Sequence, residues 1–442
     1  MAFAIGCSIF FVDSASAETL AEALASAYAN NPTLNAQRAS LRATDEGVPQ
    51  ALSGYRPIVS GAADAGITGS IGSATTFPRG VSLTIEQPLF LGHRTTNSVR
   101  IAETAVLAGR ETLRNAEQTA LLAAAQAFMD VVQAQALLNL RRENVDFLRE
   151  QVRAAQDRLN VGEGTRTDVA QTNARLASGD ADLNSAAAAL NTALAVYEQV
   201  IGHRPTSLGA AKPIDGLLSK NLNAALADAM TSHPAILASG YNIDIAEFNV
   251  KVTEGALLPT VTVSGTVSHR DDSSGLNTHS DSASAVARLS VPIYSGGESS
   301  SKVRQAKETL GQRRIELDVA RDQVRQAVIS AWGGLDAARA QIRAAEAQVA
   351  AENLALSGII EERKVGQRTT LDVLNAQQEL LNARVAQVSA QHDRVIASYS
   401  LLAAIGMLGA EKLGLDVTAY DPIQHYTQVR DKWGGLRTPD GR

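Results

Sequence analysis

The chain has 442 residues, of which 45% are hydrophobic, 19% charged and only 4% aromatic, with a formal net charge of −6. That balance excludes a charge-driven disordered chain and argues against a nucleic-acid partner. The single cysteine, Cys7, excludes an internal disulfide and a thiolate metal cage.

In chain order, the first element is an apolar stretch at 2–12, followed by Ala15-Ser16-Ala17. Small residues at that spacing predict a signal peptide, 1–17, cut after Ala17. Its basic start is missing, since the first basic residue is Arg38. A buried N-terminal segment is the other reading. No run of 18 apolar residues exists, so any membrane crossing must be made by strands.

The rest reads as one unit written twice. Asn31-Pro32 answers His233-Pro234 and Pro57 answers Pro259, both 202 residues apart. Gln87-Pro88 answers Val291-Pro292, Val161-Gly162 answers Val365-Gly366, Asp168-Val169 answers Asp372-Val373, and Ile201-Gly202 answers Ile405-Gly406, all 204 apart. The first copy, 18–202, is predicted to hold strands at about 58–72 and 80–88 and helices at about 98–160 and 166–202. A linker at 203–221 carries Pro205, Gly209, Pro213 and Gly216. The second copy, 222–410, is predicted to hold strands at about 259–269 and 282–293 and helices at about 299–362 and 368–408. Residues 411–442 lose this periodicity and form a tail that either packs against the helices or stays partly disordered.

The strands alternate. Val81, Leu83 and Ile85 interleave with Ser82, Thr84 and Glu86, and Val261, Val263 and Val267 with Thr262, Ser264 and Ser268. A membrane barrel stave and a soluble half-buried strand both alternate this way, so the pattern leaves the two open. The helices carry heptads: Val324, Val328, Ala331, Leu335, Ala338, Ile342, Ala345 and Val349 in one, and Ala120, Ala124, Ala127, Val131, Ala134 and Leu138 in the other. Sustained heptads predict helices lying side by side. Each long helix, about 60 residues, would extend roughly 90 Å. Four strands are too few to enclose a wet lumen, whereas three chains would supply about twelve, within the range of outer-membrane barrels.

The duplicated strand–helix plan, the run from Val365 to Leu374 and its counterpart from Asn160 to Val169 resemble the TolC-type outer-membrane efflux proteins over about 18–410. The resemblance implies a mixed α and β membrane protein, internally duplicated. Each chain would give four barrel strands and long antiparallel coiled-coil helices to a homotrimer with a 12-stranded β-barrel and a periplasmic α-barrel. It implies an exit duct in the outer membrane, serving a tripartite efflux pump or a type I secretion system. The partners would be a periplasmic adaptor (membrane fusion) protein, an inner-membrane pump or ABC transporter, and outer-membrane lipid.

The resemblance also implies a gate at the periplasmic tip. By position, Asp372 is the constricting ring aspartate, and Asn375 stands where a second aspartate is usual, which makes the ring less negative. Three carboxylates around an axis would attract cations and raise one another's pKa. Arg368 takes the place of a latch arginine, with Thr167 and Asp168 on the facing turn, and Arg363 replaces a latch tyrosine. The plainer role of Asp168 is to cap the returning helix.

No catalytic constellation is present. The seven histidines form no HExxH pair, and no Walker A loop, dinucleotide fingerprint or nucleophile elbow occurs. No enzyme activity, cofactor or metal is expected. His269, Asp271, Asp272, His279 and Asp281 cluster in one predicted outer loop and read as solvated loop residues. Trp332-Gly333-Gly334 reads as a packing feature or kink in a long helix. The alternative function is a soluble coiled-coil scaffold or periplasmic adaptor without a pore, which would share the heptads but not the two strand pairs.

Overall fold

The computed structural model describes residues 17–69, 71, 75–271 and 279–441. The predicted signal peptide up to residue 16, with Cys7, and Asp272 lie outside the described residues. The element order is that of a duplication. Helices α1 (Leu20–Asn30), α2 (Pro32–Asp45) and α3 (Gly47–Leu52) lead into strands β1 (Ile58–Ala65) and β2 (Arg79–Phe90), then α4 (Arg94–Asn160) and α5 (Arg166–Ile201). Helices α6 (Leu222–Ser232) and α7 (Pro234–Gly255) lead into β3 (Thr260–Asp271) and β4 (His279–Ser290), then α8 (Glu298–Lys364) and α9 (Thr370–Ile405); α10 (Gln424–Val429) follows. Two compact units emerge, one of residues up to 35, 116–233 and 324–419, the other of 36–115, 234–323 and 420 onward.

The second unit contains the sheet, antiparallel in the order β1-β2-β3-β4. Its register puts Val59 opposite Ile85, Leu83 opposite Val267, and Val261 opposite Leu289. Because side chains alternate along a strand, this gathers Val59, Val81, Leu83, Ile85, Val267 and Leu289 on one face. Those six side chains are between 46% and 65% exposed, and among the described residues no second layer packs over them. Ser60, Ser82, Thr84, Glu86, Ser264, Thr266, Ser282 and Ser284 fall on the opposite face. A soluble sheet buries its apolar face, and this one does not. The outer edges of β1 and β4 are unpaired among the described residues.

Strand limits depart from the alternation in two places. Strand β1 ends at Ala65 rather than near 72, and a single Thr68–Thr76 bridge plus the Gly66 N–H donating to the Pro78 carbonyl carry the pairing on. Strands β3 and β4 run outward to Asp271 and back from His279, so the hairpin link is shorter than the polar run suggested. The register shifts between Pro88 and Phe90, where proline has no N–H to give. All helical connections join one end of the sheet. There Gly92 and Gly255 cross so closely that a Cβ on either would sit within 2.4 Å of the other's carbonyl oxygen.

The tail of this unit is ordered structure. His425 on α10 bonds the Asp45 carboxylate of α2 at 2.9 Å, and Asp45 is only 1% exposed. Arg38, Arg110 and Arg56 lie over the rings of Tyr420, Tyr426 and Trp433 at 5.3, 5.4 and 4.6 Å. Each stack combines charge–quadrupole attraction with apolar contact.

In the first unit, α4 and α5 pair antiparallel, as do α8 and α9. The heptad seams are buried at Ala124, Ala127, Val328 and Leu335, all at most 1% exposed. Helix α8 passes through Trp332-Gly333-Gly334 without a break. Helix α4 also contains an 18-residue window apolar enough by composition to cross a membrane, but half of that window is buried inside the chain. The link between the copies is pinned by Asp215, whose carboxylate accepts from Arg394 of α9 and, at 3.2 Å, from Arg339 of α8. These two guanidinium groups hold the Asp215 carboxyl below its ordinary pKa, the Arg394 hydrogen bond being the main cause.

Candidate functional site

The two helical turns are built to one pattern. Helix α4 ends at Asn160, Gly162 takes φ +80°, and Thr165 caps α5. Helix α8 ends at Lys364, Gly366 takes φ +80°, and Thr369 caps α9. The left-handed conformation suits glycine because it carries no Cβ. In the second turn the Asp372 N–H donates to Thr369 Oγ1 at 3.2 Å, and the Thr369 N–H donates back to the Asp372 carboxylate at 2.8 Å. The first turn repeats this box with Thr165 and Asp168 at 3.1 and 3.2 Å. Asp168 is therefore the third helical residue and not the N-cap, a role that the preceding T-x-x-D spacing assigns to Thr165.

The cap bonds have an electrostatic consequence. The Thr369 N–H, then its hydroxyl, hold the Asp372 carboxyl below the ordinary aspartate range, with Arg368 adding to the effect. Within one chain Asp372 is a fixed negative charge. A ring of three such groups would push in the opposite direction.

Arg368 and Asp168 each bond inside their own turn. Arg368 Nε donates to Glu362 at 2.8 Å, six residues back in the chain, while Asp168 is occupied by Thr165. Thr167 is exposed on the first turn of α5. The structure joins the two copies at other residues. Arg363 Nη1 donates to Gln151 Oε1 of α4 at 3.0 Å, and Arg175 Nη2 of α5 donates to Asn375 Oδ1 of α9 at 3.1 Å. Burial, reinforced by the nearby Arg158, lowers the Arg363 pKa from its ordinary value. Further up, Gln133 of α4 donates to Ser389 of α9 at 3.1 Å, and His392 of α9 meets Asp130 of α4 at 2.9 Å.

Sequence reasoning named Arg363 and Asn375 but not their partners Gln151 and Arg175, nor Glu362. The capping threonines were readable from spacing alone. Among the described residues no cluster of histidine, cysteine and carboxylate side chains is arranged to hold a metal. At the sheet's far end His269 bonds Asp281 at 2.6 Å and lies 3.5 Å from Asp271, while Arg79 takes Asp271 at 3.2 Å. These are strand-end ion pairs, with His269, Asp271 and Asp281 inside β3 and β4 rather than in a loop.

The profile of the outer membrane efflux protein family matches this chain twice, over residues 23–203 and 225–407. The chain belongs to that family. Its two matched segments coincide with the two copies of the structural repeat. Among relatives, the outer membrane efflux protein BepC of Brucella suis is 49% identical over 428 residues, covering 96% of this chain and 93% of BepC. The alkaline protease secretion protein AprF of Pseudomonas aeruginosa is 27% identical over 361 residues, 79% of this chain and 73% of AprF. Among solved structures, the Campylobacter jejuni CmeC outer membrane channel superimposes with a TM-score of 0.79 at 17% identity, covering 93% of this chain and 89% of CmeC. Family membership places the efflux protein in the outer membrane and removes the scaffold or adaptor alternative.

Proposed function

We propose that the chain is a non-enzymatic, passive exit duct, gated at its helical tip. The outer-membrane exit duct of an efflux or type I secretion system is the function its family and relatives support. The observation that carries the gated-tube reading is the sheet: an apolar face left bare, a polar face opposite, and two open edges. An open edge invites another strand, and the edges of three chains would close a barrel of about twelve strands with lipid outside and water inside. The signal peptide would be removed near Ala17, and residues 203–221 would join the copies as a pinned linker.

At the other end, Arg363–Gln151 and Arg175–Asn375 tie the second copy to the first and supply the closing latch; Arg368–Glu362 stiffens the second turn. Asp372, kept ionised by its cap, supplies the negative constriction, and Asn375 serves it as a hydrogen-bond acceptor rather than a charge. Thr167 and Asp168 belong to the facing turn. The tips present Val161 and Val365, each 72% exposed, as contacts for a periplasmic adaptor, which would in turn recruit an inner-membrane pump or ABC transporter. A planar-bilayer recording of the protein purified from outer membrane tests this. Small cation-selective steps that enlarge in Arg363→Ala support the gated tube. Absence of conductance in both the natural protein and that variant overturns it.

A further inference from the structure

The C-terminal tail carries chemistry that the duct does not use. Between 430 and 437 the sequence reads Arg-Asp-Lys-Trp-Gly-Gly-Leu-Arg. Arg430 is taken by Glu103 at 3.2 Å, and beyond Asp431 the run carries two further cations, Lys432 and Arg437. Trp433 is 74% exposed and Leu436 fully exposed. This is not a loose end. Arg56 Nη1 donates to the Lys432 carbonyl at 2.8 Å, its guanidinium lies 4.6 Å from the Trp433 ring centre, and Lys432 Nζ donates to the Arg437 carbonyl at 2.7 Å. The fold thus holds an indole and a leucine outward at a set place.

That place is the base of the sheet. Arg56 stands two residues before Ile58, where β1 begins, at the end of the sheet to which the helices connect. Tyr55, beside it, is 49% exposed and bonds Thr96 at 2.6 Å. Where a strand leaves the membrane, tryptophan and tyrosine sit at headgroup depth, with the apolar ring toward the acyl chains and the polar atom toward water. Cations beside them meet anionic headgroups at a charged surface.

We propose that residues 432–437, with Arg56 and Tyr55, form an interfacial anchor that binds anionic phospholipid of the bilayer leaflet on the helical side of the sheet. The tail is then a strap. One part, through His425, Tyr426 and Arg430, grips α2 and α4, and the other rests in the membrane interface. The bare Trp433 and Leu436 are covered by lipid, continuous with the bare apolar face of the sheet. This inference rests on the reading of the sheet as membrane-spanning.

The test uses the full protein in vesicles. Trp332→Phe leaves Trp433 as the lone tryptophan. The vesicles contain phosphatidylethanolamine, with and without about 30% phosphatidylglycerol, and lipids brominated at shallow or deep acyl positions. The expected result is a blue-shifted Trp433 that loses about half its emission to shallow bromines and less to deep ones. Phosphatidylglycerol increases the quenching, and Lys432→Glu with Arg437→Glu removes that increase. Water-like emission without quenching overturns the anchor, as does blue-shifted emission without quenching, which would mean that a second protein copy covers the ring. A control protein, Leu83→Trp with both natural tryptophans replaced by phenylalanine, reports on the sheet. If it is quenched and Trp433 is not, the anchor alone fails. If neither is quenched, the membrane-spanning reading fails first.

Discussion

Helices α5 and α9 have the same length, 36 residues, the same threonine–aspartate cap and the same left-handed glycine after them, Gly202 and Gly406. Their burial is very different. Helix α9 buries fourteen residues, among them Val373, Leu374, Leu380, Leu381, Leu401 and Leu402, while α5 buries only Thr172, Gly179, Tyr197 and Ile201. Duplication therefore preserved the ends of the helix and let the faces diverge. The second copy's returning helix is core, and the first copy's leaves most of its length for something outside the chain to cover. Were copies to close into a ring, the neighbouring protomer or a docked adaptor helix would supply that cover, and we propose α5 as the surface through which assembly is read.

The comparison breaks most directly at a matched pair of leucines. Leu380 on α9 is 3% exposed, and Leu176, 204 residues earlier on α5, is only half-buried. Leu380→Ala is expected to cost about 3 kcal/mol and Leu176→Ala less than about 1 kcal/mol in a dissociated protomer. Denaturant unfolding followed by the helix signal checks both. If the gap closes when the same measurement is made on the assembled protein, α5 is buried by assembly. If Leu176→Ala costs as much as Leu380→Ala in the lone protomer, the asymmetry is wrong.

The turns sharpen it next. At the positions of Glu362, Arg363 and Arg368 the first copy has Arg158, Leu159 and Gly164, so the Arg363–Gln151 and Arg368–Glu362 links have no counterpart at the first turn. Arg363→Ala should raise single-channel conductance and admit large antibiotics to cells, by severalfold, whereas Arg166→Ala on the first turn should change neither. Equal responses would place the latch elsewhere. A smaller effect belongs to the caps: Thr369→Ala and Thr165→Ala should each cost about 1 kcal/mol, since each removes one side-chain acceptor from an otherwise orphan N–H. Thermal unfolding of the two variants should give matching shifts, because the two boxes have matching geometry.

Much of this was legible from sequence for a simple reason. Heptads, alternation and the glycine–threonine–aspartate turn are local, and local patterns determine helices, strands and caps. The early end of β1 was not legible, because Ile67 and Ile71 continue the alternation past the point where pairing reduces to one bridge. The Arg363–Gln151 and Arg175–Asn375 links join residues 212 and 200 apart, and no spacing rule reaches that far. The tail was the least legible. It has no period, and what orders it is a set of arginines on α2, α4 and the stretch before β1, each stacked on an aromatic ring far away in the sequence.

The smallest effect probes the same asymmetry through pH. Helix α9 carries His392 where α5 has Ala188. His392 Nε2 meets Asp130 of α4 at 2.9 Å and Nδ1 meets Asp393 at 2.9 Å, and the Asp130 hydrogen bond, against the opposing effect of burial, raises the His392 pKa above its ordinary 6.5. A histidine whose pKa is higher folded than unfolded binds its proton more tightly in the folded state. Its contribution is complete below the unfolded value and is lost as pH rises through the folded one. Because Asp130 is half exposed, solvent screening limits the gain to about 0.5 kcal/mol. The protein should therefore melt slightly higher at pH 6 than at pH 8 through this pair, and His392→Gln should remove that part of the difference. An unchanged pH dependence in His392→Gln would show that the α4–α9 seam does not titrate there and that its pairing with the first copy rests on packing and on neutral hydrogen bonds such as Gln133–Ser389.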